Sequence, residues 1–65
     1  MKYYYKITYE SPRGDYDYLD GVAEIVKQWA SEAQALAMAQ DIANAAGIKR
    51  IVDICVRLAE VEDYI

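Results

Sequence analysis

The chain of 65 residues contains no histidine, one cysteine, one proline and three glycines. Without histidine, neither a Ser-His-Asp nor a Cys-His pair can be assembled, and the commonest general base near neutral pH is missing. A single thiol, Cys55, permits no internal disulfide and excludes zinc sites of the Cys/His type. In the middle of an apolar run, Cys55 reads as a small hydrophobe. The glycines at 14, 21 and 47 are too far apart to form a phosphate-cradling loop. No apolar run approaches the roughly 18 residues of a membrane span. Met1 to Lys6 has a basic start but no apolar stretch or small-residue cleavage site, so it does not read as a signal peptide. The expected setting is cytoplasmic, with no membrane partner. Basic residues are also in deficit, 7 against 11 acidic, for a formal charge of −4. Direct nucleic-acid binding normally needs a basic stripe in clear excess, and this balance argues against it.

What is present is periodic. Tyr3, Tyr5, Ile7 and Tyr9 alternate with Tyr4, Lys6, Thr8 and Glu10, which reads as a strand. Ser11-Pro12-Arg13-Gly14 follows as a tight turn. Val52, Ile54, Val56 and Leu58 alternate with Asp53, Cys55, Arg57 and Ala59, a further strand that could run on into the acidic tail. Between them the pattern predicts a helix from about Glu32 to Ala46. Ser31 and Gln34 form a capping box at its start, and Gly47 supplies the stop. Ala35, Leu36, Ala39, Ile42, Ala43 and Ala46 share one helix face, with Gln34, Asp41 and Asn44 opposite. Val22 to Ala30 fits either a helical stripe or a strand. The new helix start at Ser31 favours the strand, with Asp20-Gly21 as a turn or bulge before it.

These elements give a small α+β domain spanning the whole chain, of β-β-α-β layout. The expected sheet is three-stranded and antiparallel in the order 2-1-3, with one amphipathic helix on one face. A domain this size buries only about 60% of its unfolded surface and holds roughly 3–5 kcal/mol of net stability. Tyrosines occupy both faces of the first strand, so the alternation leaves open which set the helix covers. The uncovered face is expected to show aromatic surface, which is enriched where proteins meet.

The charge is unevenly spread. Glu10, Asp15, Asp17, Asp20 and Glu24 face only Arg13 between residues 10 and 24, while Lys49, Arg50 and Arg57 gather near the acidic tail. The stretch DYDYLD alternates acids with aromatics. In a strand, Asp15 and Asp17 would form a row with Tyr16 and Tyr18 turned the other way. Carboxylates in rows can occupy a site built for a phosphate backbone, and the complementary field speeds encounter with a basic partner. The plainer reading is a solvated hairpin arm whose acids blunt a sheet edge. The Asp15, Asp17, Asp20 spacing lacks the glycine and terminal Glu of a calcium loop, so no metal and no cofactor is expected.

The strand YYYKITYE, the run VAEIVKQWASEAQALAMAQDIA into a capped helix, and the closing strand RIVDICVRL together resemble small phage- or prophage-encoded β-β-α-β proteins, among them the anti-CRISPR inhibitors. The resemblance is of layout and composition, and transfers no functional residue. It implies an acidic, non-enzymatic inhibitor that binds a larger protein or ribonucleoprotein complex. The residues expected to meet that partner are Asp15, Tyr16, Asp17, Tyr18, Asp20 and Glu24. Two alternatives stand beside it: a homodimer formed through an aromatic sheet face, and single-strand nucleic-acid binding on the tyrosines of the first strand.

Overall fold

The computed structural model describes residues 1–25 and 31–63. Its elements in chain order are β1 (Lys2–Glu10), β2 (Tyr16–Glu24), α1 (Glu32–Ala45), β3 (Ile51–Leu58) and a short 3-10 turn (Val61–Asp63). The sheet is antiparallel throughout, in the order β2-β1-β3, as the alternation predicts. The tyrosine-rich strand is therefore central.

The hairpin between β1 and β2 is closed by local chemistry. Gly14 N–H donates to Ser11 O at 2.9 Å, and Ser11 N–H donates to Asp15 O at 2.7 Å. Ser11 Oγ also accepts from Arg13 N–H at 3.3 Å, which fixes the turn against slippage. The register then runs unbroken from Glu10↔Tyr16 to Lys2↔Glu24. Here the structure corrects the sequence reading. Asp20-Gly21 is neither turn nor bulge but the interior of β2, and the second strand starts at Tyr16 rather than near Val22. Of the segment expected as strand, Val22–Glu24 is strand and Ile25 pairs with Met1 through two hydrogen bonds. The rest of it, residues 26–30 with Trp29, lies outside the described residues.

Gly21 has a steric reason to be glycine. The Tyr5 ring, directly opposite on β1, lies across it: a Cβ at Gly21 would come 2.7 Å from the Tyr5 hydroxyl and 3.0 Å from its Cζ. An aromatic lying over a cross-strand glycine covers a gap that would weaken the strand.

The helix begins as its cap predicts, with Ser31 Oγ accepting from Gln34 N–H at 3.4 Å. The reciprocal half of the capping box does not form, since Gln34 Oε1 is buried without a hydrogen-bond partner among the described residues. At the other end Gly47 adopts φ +75°, Gly47 N–H donates to Asn44 O, and Ile48 N–H donates to Ala43 O. This is a Schellman stop, and it turns Ile48 back onto the core.

The helix covers the odd-numbered face of β1. Ile7 is fully buried among Ala39 and Ala43, with Tyr5, Leu19, Ile42, Ile48, Ile54 and Val56 packed around them. Tyr3 and Ala35 are buried nearby. Full burial of Ile7 contributes about 1.5–3 kcal/mol, a large share for so small a domain. Ala35, Ala39 and Ala43 follow at i, i+4 and i+8, and their small side chains let α1 sit close to the sheet. The buried stripe is narrower than the periodicity predicts, because Leu36 and Ala46 remain exposed. The helix lies over β3 and β1 rather than over β2. β3 ends at Leu58 and the tail turns instead of continuing as strand.

Candidate functional site

Parity along β2 divides the DYDYLD arm between the two faces of the sheet. Tyr16, Tyr18, Asp20, Val22 and Glu24 stand on the face without the helix, whereas Asp17 and Leu19 share the side of Tyr9 and Ile7. Asp15 precedes the strand and is exposed, as are Tyr16, Asp17, Tyr18, Asp20 and Glu24. The six expected contact residues thus lie on one arm and are open to solvent, but they do not form a single acidic surface.

The register shows why. Asp20 stands directly opposite Lys6, and Glu24 opposite Lys2. Opposite charges on directly paired residues attract, so the fields of Asp20 and Glu24 are balanced from β1. Asp15 and Asp17 have no lysine across from them: Asp17 pairs with Tyr9. The acids without a base across the ladder therefore sit at the hairpin tip, beside Arg13 of the turn. Asp17 has a local role as well, since its Oδ1 accepts from Tyr18 N–H at 2.8 Å.

The open face is a polar-aromatic lattice. The Lys6 ammonium lies over the Tyr18 ring, 4.8 Å from its centroid, and the Arg57 guanidinium lies over Tyr4 at 4.5 Å. Tyr4 donates its hydroxyl to Asp20 Oδ2 at 3.1 Å. Partial burial and this bond hold the Tyr4 phenol above the usual tyrosine range. Arg57 grips Asp63 with two parallel bonds of 2.8 and 2.9 Å, and Glu60 N–H donates to the same carboxylate at 2.7 Å. The guanidinium and that amide hold the Asp63 carboxyl below the ordinary range.

This lattice leaves a small platform for base stacking. Tyr3 and Tyr5 turn toward the helix, so only Tyr4 of the β1 tyrosines at 3, 4 and 5 faces outward, already capped by Arg57. Among the described residues Tyr16 and Tyr18 are the open aromatics, 72% and 56% exposed. Cys55, read from the sequence as a small hydrophobe, is exposed on this face, opposite Lys6. Among the described residues no group of three or more His, Cys, Asp or Glu is placed to hold a metal ion. No helix among them is long and apolar enough to cross a membrane.

Neither a family model, nor a curated protein, nor a solved structure matches this chain. The chemistry of the site rests on the chain's own geometry. Of the features above, the pairing of Asp20 with Lys6 and of Glu24 with Lys2 escapes a reading of composition. The signal for it was the SPRG turn, whose length sets the register once the hairpin is accepted.

Proposed function

We propose that the protein is a non-enzymatic binding module whose hairpin arm docks on a basic surface of a larger nucleic-acid-processing protein or complex and keeps nucleic acid from it. The single observation that carries this reading is the tip of the arm, where two exposed tyrosines, Tyr16 and Tyr18, stand among carboxylates with no opposing lysine at 15 and 17. Aromatic anchors supply the contact area that dominates most interfaces. The fixed charge at Asp15 and Asp17 selects a basic partner and speeds its capture. Asp20 and Glu24 take a secondary part, because Lys6 and Lys2 offset them.

The test is capture from the native host's lysate on the immobilised protein, at low and moderate salt, with elution by duplex DNA or RNA. The expected partner is a nucleic-acid-binding protein that the oligonucleotide displaces. Asp15→Lys with Asp17→Lys should lower capture at least tenfold, about 1.4 kcal/mol or more, with Tyr16→Ala and Tyr18→Ala reducing it independently. Equal capture by the charge-reversed arm at low salt would remove the basis for the reading.

A further inference from the structure

β3 is the other edge of the sheet, and among the described residues it pairs with β1 alone. Ala59 N–H donates to Lys2 O at 2.9 Å, which fixes the alternation along the ladder. The backbone groups of Arg57, Cys55 and Asp53 point at β1, and those of Leu58, Val56 and Ile54 point out of the sheet, where Leu58 O already accepts from Arg57 Nη1 at 3.2 Å. Within Ile51–Leu58 there is no proline and no lysine, the usual guards of an exposed edge. The surface beside it is largely apolar, with Glu32 and Asp53 also lining it. Leu36 lines a groove with Ile54 and Val56, and Leu36, Ile51, Val52 and Leu58 are all exposed, Val52 and Leu58 by more than half.

From this edge we infer that β3 pairs with β3 of a second copy, antiparallel and centred on Cys55, to form a continuous six-stranded sheet with both helices on one side. Symmetry limits the choices. Two copies of one strand lying side by side and antiparallel are related by an axis perpendicular to the sheet, so one residue must face its own copy. Charge then selects the register. Centring on Asp53 or on Arg57 sets like charges directly opposite. Centring on Ile54 or Val56 leaves Asp53 and Arg57 facing uncharged residues. Centring on Cys55 sets Asp53 opposite the partner's Arg57, and Arg57 opposite the partner's Asp53, on the open face.

The same register sets Ile54 level with the partner's Val56 as a hydrogen-bonded pair, using backbone groups that already point outward. Val52, which the β1–β3 register skips at an irregularity, comes level with the partner's Leu58, and each Leu36 flanks the axis. Asp53 is exposed and its carboxylate has no hydrogen-bond or ion-pair partner among the described residues, so its charge is available. Arg57 retains room to share its guanidinium, since its side chain is 48% exposed beside Asp63. This contact is separate from the β2 arm and leaves that arm free on each copy.

Sedimentation equilibrium of the full chain, under reducing conditions and up to millimolar protein, is expected to show a monomer–dimer equilibrium. Asp53→Arg places arginine against the partner's Arg57 twice and should weaken dimerisation about tenfold or more. The variant should keep the wild-type circular dichroism. Cys55 reports the register independently. Two facing residues at a non-hydrogen-bonded position lie about 4.5 Å apart at Cα, inside the disulfide range of about 4.4–6.8 Å. Centring on Ile54 would separate the two thiol positions diagonally by roughly 8 Å. Diamide takes two electrons and two protons from the paired thiols, becoming the hydrazine as the S–S bond forms. Rapid dimer cross-linking in the wild type, slowed in Asp53→Arg, is the expected result. A monomer at millimolar concentration overturns the inference. So does a dimer that Asp53→Arg leaves intact, or one that does not cross-link through Cys55.

Discussion

On β2 the outward amide of Tyr18 is already bonded to Asp17 Oδ1, while on β3 no side chain among the described residues takes the outward amides of Ile54 and Val56. The acids differ in the same sense. β2 carries Asp17, Asp20 and Glu24 with no base in the strand, so a second β2 laid against it would bring acid toward acid. β3 carries one acid and one base four residues apart, placed so that two-fold pairing joins them. One edge is finished against its own kind and left attractive to a basic surface. The other is complementary to itself. Among the described residues one helix leaves both sheet edges without a further strand, and the two proposals give each edge a different partner.

The two flanks are also anchored differently, which gives the largest expected effect. α1 presses β3 onto the core, whereas β2 is held by its ladder to β1, by Leu19, and by the Tyr5 ring across Gly21. Gly21→Ala forces that ring aside. Overpacking of this kind costs about 1–3 kcal/mol, offset by about 0.5–1 kcal/mol from replacing a strand glycine. The net loss of about 1 kcal/mol should lower Tm by roughly 4–8 °C in a domain of this size. In a Tyr5→Phe background the closest contact, with the hydroxyl, is gone, and the same substitution should cost clearly less. Equal losses in both backgrounds would show that Tyr5 does not hold β2.

A smaller effect tests the guard on β2. Asp17→Ala removes the acceptor for the Tyr18 amide, and one net hydrogen bond of about 0.5–1.5 kcal/mol corresponds to roughly two- to tenfold faster exchange of that amide. The amides of Leu19 and Gly21, which face β1, should exchange as before. Uniform acceleration along β2 would mean that Asp17 supports the whole strand rather than sealing its edge.

Much of this was legible in the residues, and the gaps have physical causes. The capped helix, the two alternating strands and the sheet order follow from period and punctuation. The covered face of β1 does not, because tyrosine serves on both sides: Tyr3 is buried and Tyr4 is not. Ile7, the lone aliphatic of β1, together with Ile54 and Val56 on the same side of β3, decides it. A scan along the chain reads Asp20-Gly21 as a turn or bulge, because a glycine under an aromatic is a cross-strand relation that such a scan cannot register. The acidic cluster looked continuous for the same reason, since Lys6 and Lys2 offset Asp20 and Glu24 only across the ladder.

The smallest expected effect concerns the end of β3, where the edge closes on its own tail. Arg57 and the Glu60 amide depress the Asp63 carboxyl, so the folded state binds that proton less readily than the unfolded chain does. The contribution is fully present above the ordinary Asp value of about 3.9 and is lost as pH falls through the lowered folded value. An NMR titration of the Asp63 carboxyl carbon should therefore find its midpoint below the ordinary range, with the Arg57 guanidinium signals shifting in step. The effect on stability is modest, because the pair lies at the surface and solvent screens it. A midpoint in the ordinary range would mean that the tail is not clipped to Arg57. The guanidinium would then be held by the Tyr4 ring and the Leu58 carbonyl, without the carboxylate that fixes it at the end of β3.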